Sequence, residues 1–244
     1  MMNIEIWSDF ACPFCYIGKR RFEEGLQQFA HRDQVEITFR SFELAPDAPV
    51  DNDQNMHSIL ASKYGMSLEQ AKAANDNLTE QAKAVGLTYH FDTMIPTNTF
   101  DAHRMTHWAA EAGKRYDMTE RLFKAYFTDS AHIGDRETLI RLAGEIGLDA
   151  QAAATMLESD AYKDDVRRDE QEGSQLGVTG VPFFVINRKY GISGAQPPEA
   201  FVETLNKVWQ EDHPLTLLNE EGTESDAACS DGACHVPGAQ KTTE

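Results

Sequence analysis

Hydrophobic and polar positions alternate in two stretches near the start of the chain. Over Asn3–Ser8, Ile4, Ile6 and Ser8 interleave with Glu5 and Trp7, and Val35–Phe42 alternates in the same way. A period of two predicts a strand in each. Between them the period changes: Tyr16, Ile17, Phe22, Leu26 and Phe29 recur at helical spacing, with Lys19, Arg20, Glu23 and Glu24 among them. The opening therefore predicts a β-α-β unit. After a loop rich in proline and aspartate (Pro46, Asp47, Pro49, Asp51, Asp53), helical periodicity takes over.

Ser67 and Gln70 form a capping-box signature for a helix running to about Val85. Further helices are predicted near Thr99–Ala112, Met118–Thr128, Arg136–Ile146 and Ala150–Leu176. Gly65, Gly86, Gly113, Gly134 and Gly147 punctuate the region, several of them where a helix needs a left-handed C-terminal cap. The strand pattern returns at Val181–Asn187, with Arg188-Lys189 as a turn and Tyr190–Gly194 as a partner strand. Pro197-Pro198 then opens a helix through Phe201, Leu205 and Trp209.

The order is β-α-β, helical insert, β-β-α, with no internal repeat. This is an α/β chain with a discontinuous domain over 1–46 and 177–212 and an all-helical insertion over 47–176. The remainder, 213–244, is acidic, and from Asn219 onward it is nearly free of large apolar residues, a composition that predicts a mobile tail. It carries Cys229 and Cys234.

Across 244 residues, 41% hydrophobic and 25% charged residues provide for a sizeable core and exclude wholesale disorder. The formal net charge of −18 argues against nucleic acid and anionic membrane as partners. The longest strongly apolar run, Val181–Ile186, is too short for a membrane span and contains Pro182. The N-terminus lacks a basic start and carries Glu5 and Asp9, which favours a cytosolic location. In a reducing compartment, paired cysteines point to catalysis, redox sensing or metal rather than to a structural staple.

Cys12-Pro13-Phe14-Cys15 lies between the first strand and the first helix. That placement puts Cys12 at the helix N-cap and Pro13 at the first helical position, where a missing N–H costs nothing. The free amides of Phe14 and Cys15, with the helix dipole, are then expected to favour a thiolate on Cys12. An ordinary cysteine titrates at about 8.5, so such stabilisation decides how much of it reacts at neutral pH. On this reading Cys12 is the exposed attacking thiol. Cys15, one turn deeper on the same face, resolves the mixed disulfide. Two alternatives remain: an inert pair, or half of a zinc site completed by Cys229, Cys234 and His235.

Val181-Pro182 opens the third strand. A cis peptide there would present the Val181 backbone as an edge on which an extended substrate pairs beside Cys12. Phe10, Phe14 and Tyr16 are either core or an apolar rim against a client, Phe14 the most exposed. His103 and His107, four apart and with Arg104 between them, read first as a packed or solvated helix face. The second reading makes Asn98, Asp101, His103 or Arg104 a polar wall beside the dithiol.

Four stretches together carry a family resemblance: Ser8–Gly18 around the cysteines, Asn98–Arg104, Gly180–Phe184, and Ile192–Gln196. With them the chain resembles the DsbA-like branch of the thioredoxin superfamily, in particular the FrnE-like oxidoreductases, over residues 3–210. The resemblance implies a thioredoxin fold with an inserted helical domain and thiol–disulfide exchange. It implies no cofactor, and protein thiols and disulfides or low-molecular-weight thiols as partners.

The tail pair Cys229/Cys234 resembles a second cysteine motif of some FrnE-like proteins and is a candidate auxiliary redox pair, with metal binding and idle thiols as alternatives. The chain between Trp209 and Cys229 spans about 25 Å as a random coil, enough to bring the tail to Cys12. One departure matters. Periplasmic DsbA-type oxidants usually carry histidine between the cysteines, whereas Phe14 has no donor for a thiolate, which predicts a less oxidising couple. Kappa-class glutathione transferases and 2-hydroxychromene-2-carboxylate isomerases share the architecture but usually have serine where Cys12 stands. They are the alternative activity, and a zinc-linked interaction module is the second.

Overall fold

A computed structural model describes residues 1–214, together with the backbone of Cys229–Ser230 and Ala233–Cys234. Strand β1 (Met2–Ser8), helix α1 (Pro13–Gln28) and strand β2 (Val35–Ser41) form the opening unit, with β1 and β2 parallel, Ile4 beside Ile37. The sequence returns to this sheet through β3 (Phe183–Ile186) and β4 (Tyr190–Ser193), followed by a closing helix (Pro198–Asp212). Strand order is β2-β1-β3-β4, with β3 antiparallel to both neighbours and Ile6 opposite Phe184. The predicted third strand is shortened at its start because Pro182 has no N–H to give a ladder; its carbonyl instead accepts the Gly194 N–H at 2.9 Å.

Alternation along β1 divides the core. Met2, Ile4 and Ile6 face Phe22 of α1, Phe29 just after it, and Phe201, Leu205 and Val208 of the closing helix. Trp7 points the other way and packs with Val178 and Val185. Each buried Ile or Phe side chain contributes about 1.5–3 kcal/mol.

Between β2 and β3 lie seven helices: α2 (Met56–Tyr64), α3 (Leu68–Ala84), α4 (Phe100–Glu111), α5 (Arg115–Phe127), α6 (Arg136–Glu145), α7 (Ala150–Glu158) and α8 (Lys163–Gln175). The capping box of Ser67 and Gln70 is present at the start of α3. Of the punctuating glycines, Gly65, Gly86, Gly113 and Gly147 adopt positive φ, but Gly134 does not. Its hydrogen stands where a Cβ would lie 2.0 Å from Thr97 Oγ1, so it is a close-approach residue rather than a cap.

The helix expected over Ala150–Leu176 is two helices. Tyr162 between them is left-handed at φ 63. The fully buried guanidinium of Arg104 donates to the carbonyls of Met156, Ser159 and Ala161 around the break. Arg104 is thus a clamp between helices and not part of a wall beside the dithiol.

The helices enclose their own apolar cluster, and Phe10, Cys12, Cys15, Tyr16 and Ile17 belong to it. The cysteine loop therefore sits where the sheet unit meets the helical insert. This arrangement is a DsbA-like thioredoxin fold with a helical insertion, as the sequence predicts.

Cys229 and Cys234 are directly opposed in a short antiparallel ladder; their side chains, and His235, lie outside the described residues. So does most of the stretch predicted to be a mobile tail.

Candidate active site

Asp9 holds the loop that carries the cysteines. One carboxylate oxygen accepts the Ala11 N–H at 3.3 Å and the Thr99 hydroxyl at 2.8 Å, and the other accepts the Leu44 N–H at 2.8 Å. Its carbonyl takes the Cys12 N–H at 3.1 Å. Three separate segments thus meet on one buried side chain. Cys12 then stands at the N-cap of α1 and Pro13 at its first position, as the spacing predicts. Tyr89, from the loop after α3, donates its hydroxyl to the Pro13 carbonyl at 2.8 Å and fixes the first turn.

The sulfur geometry corrects two expectations. Cys12 is only 4% exposed, not the open thiol the sequence suggests; it lies in the helical insert's apolar cluster, against which Ala11 and Val181 also pack. Its sulfur also takes no hydrogen bond from the helix amides; the Cys15 N–H goes to the Cys12 carbonyl instead. The Cys12 thiol donates to the Val181 carbonyl, 3.5 Å away.

Cys15 is deeper, 2% exposed. Burial pushes its thiol well up, and the hydrogen bond and charge of Cys12 add to that, against smaller opposing contributions from the Asp9 N–H and the Ser8 hydroxyl.

The Val181-Pro182 peptide is cis, as expected. Pro182 is buried against α1 at Gly18, one turn past Cys15. A Cβ on Gly18 would lie 2.9 Å from Pro182 Cγ and 3.3 Å from the Ala195 Cβ. Only a residue without a side chain lets the proline segment approach the dithiol this closely. Arg21 pins the other side of that segment, donating to the Ala195 carbonyl at 2.6 Å. Gly18→Ala is expected to cost about 1–3 kcal/mol by overpacking and to displace the Val181 carbonyl from Cys12. Denaturant unfolding reads the first effect and the rate of Cys12 alkylation the second.

The two phenylalanines separate. Phe14 is 42% exposed beside the cysteines, whereas Phe10 is 4% exposed with its ring against His103 and Phe123 at 4.8 and 5.1 Å. Phe10 is core, so it does not offer a client the rim that the sequence allowed it. His107 is also turned inward, into contact with Ser41 and Asp169 at 3.1 Å, and Asp101 is tied to Arg104 at 2.6 Å. Asn98 reaches the Pro46 carbonyl.

His103 alone of that group stays near the dithiol loop, its Nε2 3.5 Å from Asp9. Sequence reading missed Tyr89, Ser8 and the clamp function of Asp9. The only signal for the clamp was an aspartate opening a turn just before a helix. Among the described residues no three His, Cys, Asp or Glu side chains converge as metal ligands.

The DSBA-like thioredoxin domain matches residues 3–206 of the chain. The protein belongs to this family. It is similar to a probable DsbA oxidoreductase of Streptomyces coelicolor, at 46% identity over 98% of this chain and 100% of that one, with a TM-score of 0.84. Two more distant likenesses share the fold. One is a 2-hydroxychromene-2-carboxylate isomerase, at 16% identity and TM-score 0.67, covering 88% of this chain and all of that one. The other is the cytosolic disulfide reductase DsbM of Pseudomonas aeruginosa, solved with glutathione, at 14% identity and TM-score 0.60, covering 85% of this chain and 99% of that one. No helix among the described residues is long and apolar enough to cross a membrane.

Proposed function

We propose that this DsbA-like protein is a thiol–disulfide oxidoreductase working through Cys12 and Cys15. The observation that carries the reading is two free thiols at the start of one helix, with the Val181 carbonyl 3.5 Å from the outer sulfur.

Cys12 attacks one sulfur of a client disulfide, and the client's other sulfur leaves as a thiolate. Cys15 then gives up its proton and attacks Cys12, freeing the second client sulfur and closing the Cys12–Cys15 disulfide. The client gains two electrons and the dithiol loses two; run backwards, the same steps oxidise a client dithiol. Val181 and Pro182 supply the backbone edge for an extended client, and Phe14 supplies an exposed apolar contact. A recessed Cys12 sulfur selects slender partners, either an extended peptide or a small thiol such as glutathione.

The chemistry belongs to 1–46 with 177–212, and the insert over 47–176 walls it in. The tail over 213–244 carries Cys229 and Cys234, opposed across a ladder, as an auxiliary pair that exchanges with the main one. Without a donor at Phe14 the couple is a mild oxidant or a reductant, in keeping with a cytoplasmic protein. A lost hydrogen bond of about 1.4 kcal/mol is worth about 30 mV in such a couple.

The test is equilibration in glutathione redox buffers followed by alkylation and peptide mapping. A two-electron transition joining Cys12 to Cys15 is expected; the absence of that disulfide at every potential sinks the reading. The shared fold of the isomerase favours one alternative, glutathione-dependent isomerisation or transfer. That activity saturates with glutathione and survives Cys15→Ser.

A further inference from the structure

Tyr89 joins the helical insert to the cysteine turn. It lies in the loop after α3 and is 3% exposed. Its ring stacks on Phe127 of α5 at 4.5 Å and meets Phe91 edge-on at 5.7 Å. The residues on either side are tied to the end of α5. The His90 N–H donates to the Phe127 carbonyl at 2.9 Å, His90 Nδ1 to the Thr128 carbonyl at 2.8 Å, and the Thr128 hydroxyl to the Thr88 carbonyl at 2.7 Å. The phenol oxygen is thus carried on a braced segment, and it donates to the Pro13 carbonyl at 2.8 Å. Burial pushes this phenol upward, so it remains a donor across the range in which cysteines titrate.

The Pro13 carbonyl shares its peptide group with the Phe14 N–H. So near the helix start that amide has no carbonyl one turn back to bond, and it meets no acceptor among the described residues. The Cys15 N–H is already turned to the Cys12 carbonyl. Cys12 is extended at φ −92 and ψ 112, the N-cap conformation from which a side chain accepts from the second or third amide of a helix. In the reduced protein its thiol is a donor, directed at the Val181 carbonyl. Once ionised, the sulfur can only accept. A carbonyl no longer suits it, and the Phe14 N–H is the first-turn amide left to receive it.

We propose that Tyr89 is a positioning residue for the outer sulfur: its hydroxyl, bonded to the Pro13 carbonyl, orients and polarises the Pro13–Phe14 peptide so that the Phe14 N–H stabilises the Cys12 thiolate. This rests on the dithiol reading above and deepens it. A hydrogen bond accepted at one end of a peptide group strengthens the donor at the other. A stabilised thiolate favours the dithiol over the disulfide, so Tyr89 makes the couple more oxidising than the same motif without it. The exchange that reads this is dithiol plus glutathione disulfide, giving the Cys12–Cys15 disulfide and two glutathione thiols. Two electrons and two protons pass from Cys12 and Cys15 to the glutathione sulfurs.

The other titratable groups around the turn are Asp9 before it, Cys15 and Tyr16 on α1, and His103 of α4 beyond Asp9. The Val181-Pro182 segment brings none. All of them stay in place when only the Tyr89 hydroxyl is changed.

The test compares the wild type with Tyr89→Phe, which keeps the ring and its stacking, and with 3-fluorotyrosine in place of Tyr89, whose hydroxyl is the stronger donor. The rate of Cys12 alkylation against pH, with mapping of the modified peptide, reads the thiolate. Equilibration with glutathione reads the couple. In Tyr89→Phe the Cys12 titration is expected to move up in pH, leaving about threefold less thiolate below its midpoint. Above the midpoint the glutathione equilibrium should shift by the same factor toward the protein disulfide. Below it the two proteins should converge, because both hold the neutral thiol. Fluorotyrosine should move both quantities the opposite way. An unmoved titration in Tyr89→Phe overturns the proposal, as does movement of the two variants in the same direction. A shift in the glutathione equilibrium of equal size at every pH also overturns it, and leaves Tyr89 a packing role alone. If the wild-type protein forms no Cys12–Cys15 disulfide at any glutathione ratio, the dithiol reading has failed, and the Cys12 titration still decides whether Tyr89 acts on that sulfur.

Discussion

Cys15→Ser is expected to accumulate a covalent adduct on Cys12, with client or with added glutathione, while Cys12→Ser accumulates none and loses all turnover. The asymmetry follows from the geometry. The Cys12 sulfur is the outer of the two and lies against the Val181 carbonyl, the edge on which a client would pair. The Cys15 sulfur is deeper, its proton held by burial and by Cys12. A client disulfide therefore meets Cys12 first, and only Cys15 can release what Cys12 has captured. A serine at Cys15 keeps the packing volume and removes the second nucleophile, so the mixed disulfide has no internal exit. Intact-mass measurement before and after a reductant reads the adduct directly. Equal trapping by the two variants would mean that either sulfur can attack, and the assigned order would be wrong.

Asp169→Ala is expected to cost about 3–5 kcal/mol of folding stability, which for a chain of this size lowers the melting temperature by about 10 °C. Asp169, on α8, is 1% exposed. Its carboxylate accepts the Ser41 N–H at 2.9 Å and Arg40 at 2.8 Å, and contacts His107 at 3.1 Å, while its carbonyl accepts the Trp7 indole N–H at 2.7 Å. Arg40 continues to Glu5, and Glu5 to Arg188, so one polar line crosses the covered face of the sheet.

Burial alone would raise the acid's pKa, but the contacts with His107, Ser41 and Arg40 outweigh it and hold the carboxyl below its usual range. A depressed pKa stabilises the fold fully above the unfolded value of about 4. That contribution is lost as pH falls through the folded value. The gap between wild type and Asp169→Asn should accordingly be widest at neutral pH and close in acid. Denaturant titrations at the two extremes test this, and a gap independent of pH would place the effect in packing.

Strand periodicity, the dithiol and the proline opening the third strand were legible because each is a local pattern: a period of two, a spacing of three, a residue with no N–H. What was not legible depends on partners far along the chain. The continuous-looking helix from Ala150 breaks where Arg104, on another helix, donates to the carbonyls of Met156, Ser159 and Ala161. Phe10 has the same local surroundings whether it faces a client or a core, and only the arrival of Phe123 and His103 decides it. Cys12 looks open from its N-cap position; the lid over it is Val181, which no spacing rule could bring there.

The pairing of β1 with β3, Ile4 against Ile186, also governs the order in which the protein comes into being. During translation both sulfurs emerge at the first helix, while the strand that closes the sheet and the carbonyl beside the outer sulfur are still unmade. The nascent chain thus carries an uncovered pair of thiols and a half-paired central strand through most of its synthesis, and both hazards end together when Val181 and its strand arrive.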